Sequence, residues 1–87
     1  MLYEFYYYLN NSMERLYREL TDNGMDLEVV EVNCIEVKND INDLSVVVLN
    51  NSNVDIFTLI VADDKFIYNR KAIGLAETVD TIKTMLY

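Results

Sequence analysis

The chain of 87 residues contains no histidine, tryptophan or proline, and only two glycines and one cysteine. Without histidine, the commonest general base and metal ligand is missing, which argues against an enzyme and against a metal or other cofactor. The single cysteine, Cys34, excludes an intrachain disulfide and fits a reducing cytoplasm, where we expect the protein to act. Cys34 lies in an apolar segment with no histidine to activate it, so we expect a buried, unreactive thiol.

Long hydrophobic runs are also lacking. No stretch reaches the roughly 18 apolar residues that a transmembrane helix needs, so we expect no membrane partner. The first residues, Met1–Leu9, have neither a basic start nor a small-residue cleavage site, so we expect no signal peptide. Hydrophobic residues make up 52% of the chain, enough for one modest core, and the length predicts a single domain over residues 1–87.

Positive charge is scarce. Seven lysines and arginines stand against 15 aspartates and glutamates, which gives a net charge of −8. Direct binding to nucleic acid is disfavoured, because the phosphates would be repelled. Ten of the carboxylates lie between Asp22 and Asp64, where Lys38 is the one basic residue. Such a charge keeps a small protein soluble, and the same carboxylates can form an anionic surface for a basic partner.

Two apolar runs joined by a polar turn, within Leu44–Ala62, predict the centre of the fold. Val46–Leu49 and Val54–Val61 are rich in β-branched residues, which favour strands, and Asn50–Asn53 supplies the turn. Neither run alternates apolar with polar residues, so we expect both faces of this hairpin to be covered. Helices would cover one face, and helices or a second copy of the chain would cover the other.

The remaining elements are predicted from periodicity and from cap residues. They are a helix over Ser12–Thr21 that is capped by Asn11 and ended by Gly24, a strand over Leu27–Val37 with a phase change or bulge near Val30, a turn at Asp63–Asp64, a short strand over Lys65–Tyr68, and a helix that begins near Gly74 or Leu75. Arg70 and Lys71 are placed in the connection before that last helix.

The segment Met1–Leu9 allows two interpretations. Its four tyrosines and one phenylalanine favour a strand, whereas the spacing of Leu2, Phe5, Leu9 and Met13 fits one long helix. Three poor helix formers at positions 10–12 favour the strand. We therefore predict an α+β fold, an antiparallel meander of four to five strands with two helices on one face. The order is β-α-β-β-β-β-α, or α-β-β-β-β-α if the first segment is helical.

Two groups of residues are predicted to bind partners. Carboxylates two apart along a strand are spaced by roughly 6.6 Å, so rows of them loosely imitate the charge of a nucleic-acid backbone. The predicted partner-binding carboxylates are Glu28, Glu31, Glu36, Asp40, Asp43, Asp55, Asp63 and Asp64. A second interface is predicted at Tyr3, Tyr6 and Tyr8, because tyrosine brings large contact area at little entropic cost. These rings also fit an edge strand packed under the last helix.

The ten carboxylates from Asp22 to Asp64, on a small α+β chain without catalytic groups, resemble those of phage-encoded inhibitors of host defence. Examples of that type are DNA-mimic anti-CRISPR proteins and uracil-DNA glycosylase inhibitors. The resemblance is one of general character over the whole chain and matches no motif, so no family residue is transferred. It implies an inhibitor that binds a basic protein surface, the nucleic-acid-binding cleft of a defence or DNA-processing protein. The alternative is a homodimeric adaptor or regulator that acts through an apolar, tyrosine-rich surface.

Overall fold

The computed structural model describes residues 9–41, 43–51, 54–62 and 67–87. These residues form two helices and five strands, and each strand pairs antiparallel with the next, so that β1 and β5 are the edges of the sheet. The elements are α1 (Asn11–Asp22), β1 (Asp26–Glu31), β2 (Cys34–Asn39), β3 (Leu44–Leu49), β4 (Ile56–Ala62), β5 (Ile67–Ile73) and α2 (Leu75–Leu86). The predicted α+β class and antiparallel meander are confirmed.

The two apolar runs predicted at the centre are strands β3 and β4. Val46 pairs with Val61 and Val48 pairs with Leu59. Residues directly opposite each other in an antiparallel ladder point to the same face, and successive residues point to opposite faces. One face, called the inner face, therefore carries the apolar side chains of Leu27, Val29, Ile35, Val37, Val46, Val48, Phe57, Leu59, Val61 and Ala72.

Both helices pack on this inner face, as predicted. Helix α1 contributes Met13, Leu16 and Leu20 to the hydrophobic core, at steps of three and four that place them on one side of the helix. Helix α2 contributes Val79, Ile82 and Leu86 with the same spacing. The core therefore lies between the two helices and the inner face. Burying each such side chain stabilises the fold by roughly 1.5–3 kcal/mol relative to leaving it exposed.

The helix ends follow the predicted pattern with one shift. The side-chain oxygen of Asn10 accepts a hydrogen bond from the backbone N–H of Met13 at 2.8 Å, so Asn10 and not Asn11 caps α1. Gly24 follows α1 with a φ of 75°, a left-handed conformation that glycine adopts without strain. Helix α2 begins at Leu75, as predicted.

Two strand predictions are wrong in their bounds. The segment Leu27–Val37 is not one strand, because the chain turns at Val32 and Asn33 and forms the hairpin of β1 and β2. The predicted bulge near Val30 is present, since the pairing register shifts between Val29 and Glu31. The last strand continues to Ile73.

Arg70 and Lys71 therefore lie in β5 and not in a connection. The predicted turn at Asp63–Asp64 lies outside the described residues. So does the segment before Leu9, and its two interpretations stay open. No helix among the described residues is long and apolar enough to span a membrane.

Candidate functional site

The side chains that alternate with the inner-face residues form the outer face of the sheet. Because α1 and α2 both pack on the inner face, the outer face is covered by neither of these helices. It divides into three lanes that follow the strands. The lane on β1 and β2 is acidic, the lane on β3 and β4 is mostly apolar, and the lane on β5 carries a single lysine, Lys71.

The acidic lane is built by the register of the first hairpin. Glu28 on β1 lies directly opposite Glu36 on β2, and Asp26 lies opposite Lys38, so all four side chains share the outer face. Across the ladder, side chains of such a pair are roughly 5 Å apart, and along a strand they are roughly 7 Å apart. The strands thus hold their carboxylates at short, regular intervals.

The bulge at Val30 adds a further carboxylate to this lane. In a regular strand Glu31 would point to the same face as Val29, which is the inner face. The register shift instead places Glu31 opposite Cys34, a residue of the outer face. Glu31 and Glu36 therefore project from the same side of the sheet. We call the set Asp26, Glu28, Glu31 and Glu36 the acidic face.

Lys38 holds the centre of the acidic face together. Its Nζ lies 2.8 Å from Glu28 Oε2 and 3.6 Å from Glu36 Oε1. Two like charges directly opposite each other destabilise a sheet, and the lysine between them offsets that repulsion. The hydroxyl of Ser45 also donates a hydrogen bond to Glu36 at 3.3 Å. One lysine against four carboxylates leaves the acidic face strongly negative.

The ion pair between Glu28 and Lys38 shifts the pKa of both side chains. The hydrogen bond and the charge of Lys38 lower the pKa of Glu28, and Glu28 in turn raises the pKa of Lys38. A lowered carboxyl pKa adds stability above the ordinary glutamate value of 4.5 and loses it as the pH falls through the folded-state pKa. A raised lysine pKa adds stability below 10.5 and loses it as the pH rises through the folded-state pKa.

Replacing Lys38 with methionine should raise the pKa of Glu28 to its ordinary value or above, because Glu36 remains opposite and its attracting partner is gone. An NMR titration of the glutamate side-chain carboxyl carbons measures this. Lys83→Met is the matched control, since Lys83 lies on α2 and away from the outer face. An unchanged Glu28 titration in Lys38→Met would show that the bridge does not form in solution.

Cys34 lies opposite Glu31 on the outer face, with 8% of its surface exposed. Burial raises the pKa of its thiol, and the negative charges of Glu31 and Glu36 raise it further. The thiolate is the reactive form, so this environment disfavours nucleophilic chemistry. The predicted buried and unreactive thiol agrees with this geometry.

The structure does not bring together all of the carboxylates predicted to bind a partner. Asp40 and Asp43 are exposed in the turn after β2, close to the end of the acidic face at Asp26. Asp55 lies apart from them and forms an ion pair of 2.8 Å with Arg15 on α1. The predicted site residues Asp63, Asp64, Tyr3, Tyr6 and Tyr8 lie outside the described residues.

Asp26 was missing from the predicted set, although it lies on the acidic face. Its signal was available, since Asp26 and Glu28 are two residues apart and therefore share a face in any regular strand. The predicted strand began one residue later, at Leu27, and this excluded Asp26. The sequence alone does not place Glu36 opposite Glu28, because that pairing depends on the turn at Val32 and Asn33.

The middle lane of the outer face is a strip of aliphatic side chains. Val47 on β3 lies opposite Ile60 on β4, and Leu49 lies opposite Thr58. Ile56 continues the lane with 41% of its surface exposed, and its neighbour on β5, Ile73, is 69% exposed. We call Val47, Leu49, Ile56 and Ile60 the apolar strip. Hydrophobic groups thus lie directly beside the acidic face.

Comparisons of this chain with protein-family models, with curated protein sequences and with solved structures found no significant match. The described residues combine a dense set of carboxylates, a neighbouring apolar strip and a buried thiol of raised pKa.

Proposed function

We propose that this protein is a non-enzymatic inhibitor whose acidic face occupies a basic nucleic-acid-binding cleft of a defence or DNA-processing protein. The observation that supports this most directly is the register of β1 and β2, which gathers Asp26, Glu28, Glu31 and Glu36 on one side of the sheet. The exposed turn residues Asp40 and Asp43 lengthen the same lane. A regular row of negative charge on a rigid sheet is what a cleft built for phosphates attracts.

The proposed partner is a protein and not a nucleic acid. Double-stranded DNA carries one negative charge per roughly 1.7 Å of its axis, so a chain with a net charge of −8 is repelled by it. A basic cleft instead gains from the acidic face, which speeds the encounter and fixes the orientation of binding. The resemblance to DNA-mimic anti-CRISPR proteins implies the same arrangement, and we propose action in the cytoplasm of the host cell.

An affinity capture from host-cell lysate tests this function. The bait is immobilised through its C-terminus and eluted first with a salt gradient and then, in a parallel run, with duplex DNA. We expect a nucleic-acid-binding protein that moderate salt or DNA releases, because both compete for the same basic cleft. A partner that stays bound through high salt and ignores DNA would exclude the proposed function.

A second candidate function is a homodimeric adaptor or regulator. The apolar strip favours it, because neither described helix packs on the strip, and apolar side chains grouped on one surface are typical of interfaces. Two outer faces stacked about a two-fold axis parallel to the strands would set the acidic face of one copy against Lys71 of the other. Light scattering over a concentration series distinguishes the two candidate functions, since the adaptor or regulator requires a dimer that persists in high salt.

A further inference from the structure

The outer face changes character across the sheet. Acidic side chains dominate β1 and β2, and aliphatic side chains dominate β3 and β4. The outer face of β5 carries Asn69 and Lys71 between two exposed isoleucines, Ile67 and Ile73. Within the described residues Lys71 forms no ion pair, and Asn69 is neutral. A nucleic-acid decoy needs the first lane alone, so the apolar strip calls for an additional explanation.

The dimensions of the apolar strip match one α-helix. Neighbouring strands lie roughly 4.8 Å apart, so β3 and β4 together are about as wide as a helix, whose diameter is roughly 10 Å. Strands of six and seven residues are roughly 20–23 Å long, which corresponds to about 14 helical residues. The inner face of the same sheet is already covered by α1 and α2 in this manner.

Resting on the proposed function, we infer that the outer face binds a basic amphipathic helix of the partner protein. The apolar side of that helix, with residues at steps of three and four, lies on the apolar strip. Its lysines and arginines lie on the flank toward β1 and β2, where they meet the acidic face at a distance of one to two strands. The flank toward β5 carries neutral or acidic residues, because Lys71 lies there.

Charge complementarity favours a basic amphipathic helix over the other structures that could pack on the apolar strip. A neutral helix would leave the acidic face unpaired, and a cleft with phosphate-binding residues alone would leave the aliphatic side chains in water. Among the described residues, the outer face of a second copy would add Lys71 alone to each set of four carboxylates, because Lys38 is already paired within its own copy. A helix with one apolar and one basic side satisfies both lanes at once.

Three synthetic peptides of 14 residues test the inference against the full chain. The first is an amphipathic helix of leucine and lysine, the second has the same composition with the leucines spread around the helix, and the third is oligolysine. Binding is measured by calorimetry at low and moderate salt, and the site by amide NMR shifts. We expect the first peptide to bind at least tenfold more tightly than the other two, with shifts at Val47, Leu49 and Ile60.

Two variants distinguish the contribution of the apolar strip from that of the acidic face. Val47→Thr combined with Ile60→Thr keeps branched side chains in the strands, and should weaken the first peptide about tenfold without changing the salt dependence. Glu28→Gln combined with Glu36→Gln should weaken it and also flatten the salt dependence. The matched control is Val32→Thr combined with Ile41→Thr, two exposed aliphatic residues in turns outside the strip, which should bind as the unmodified chain does.

Each of the other possible results contradicts a specific part of the inference. Equal binding of all three peptides, with full sensitivity to the glutamate variant, would leave the proposed function standing and exclude the helix. Binding that ignores the glutamate variant would exclude the helix, because its basic side would then not meet the acidic face, and the capture experiment would still decide the proposed function. A chain that is dimeric, and that becomes monomeric in the strip variant, would show that a second copy covers the strip. Amide spectra of every variant verify that it is folded.

Discussion

Replacing Asn50 with alanine is expected to lower the free energy of unfolding by about 3 kcal/mol, since each unsatisfied buried polar group costs about 1 kcal/mol or more. Asn50 follows β3 and is only 1% exposed. Its Nδ2 donates hydrogen bonds to the carbonyl oxygens of Val54 and Ile56, both at 2.9 Å, and its Oδ1 accepts one from Asn10 Nδ2 at 3.2 Å. Alanine would leave all three groups without this partner.

Thermal unfolding followed by circular dichroism measures the effect. For a domain of this size 1 kcal/mol corresponds to about 4–8 °C, so the midpoint should fall by about 12–24 °C. Asn51→Ala is the matched control, because Asn51 is the exposed neighbour and its replacement should change stability by less than about 0.5 kcal/mol. Asn50→Asp should also destabilise, since a carboxylate cannot donate to the two carbonyls. Equal midpoints for the Asn50 and Asn51 variants would contradict the assigned role.

Removing three carboxylates of the acidic face should weaken binding to the captured partner by about tenfold to hundredfold at low salt, if each contributes about 0.5–1 kcal/mol. The variant combines Glu28→Gln, Glu31→Gln and Glu36→Gln, whose side chains share the outer face. The loss should accumulate over the three sites and shrink as salt is added, because the attraction is screened. Titration calorimetry at several salt concentrations measures both trends.

The control for this prediction removes the same charge elsewhere. Glu19→Gln, Asp22→Asn and Asp80→Asn are exposed on the helices, which cover the opposite face of the sheet. This variant should lose less than about threefold in affinity, the remainder being long-range attraction. Equal losses in the two variants would mean that net charge, and not the acidic face, attracts the partner. The first variant loses the ion pairs with Lys38 together with the repulsion between Glu28 and Glu36, so its amide spectrum is compared with that of the unmodified chain to verify that it is folded.

The elements predicted well are those in which local pattern and tertiary burial agree. The unbroken β-branched run at Val46–Leu49 identifies a strand by its composition, and the aliphatic steps from Leu75 to Leu86 identify a helix by their periodicity. The hairpin of β1 and β2 was missed because its turn, at Val32 and Asn33, contains neither glycine nor proline. Because valine favours strands, a valine in a turn predicts a continuous strand.

The second half of β5 was missed for a different reason. Asn69, Arg70 and Lys71 are exposed on an edge strand, where lysine and arginine discourage pairing with other chains but carry no apolar signal. The acidic face was only partly predictable. The residue types were evident, but their common side depends on the pairing of Glu28 with Glu36 and on the register shift at Val30, which arise from contacts between strands.

The extra residue at Val30 also has a consequence for how this surface can change by insertion and deletion. A strand alternates sides with a period of two, so adding or removing one residue moves everything beyond it to the other side. Val30 is the exception, because it is the extra residue of the bulge. After an in-frame loss of its codon, Glu31 would directly follow the inward-facing Val29 and would stay on the outer face, opposite Cys34. The bulge therefore accommodates at Val30 a change of one residue in length that, elsewhere in β1, would turn the carboxylates beyond it toward the hydrophobic core.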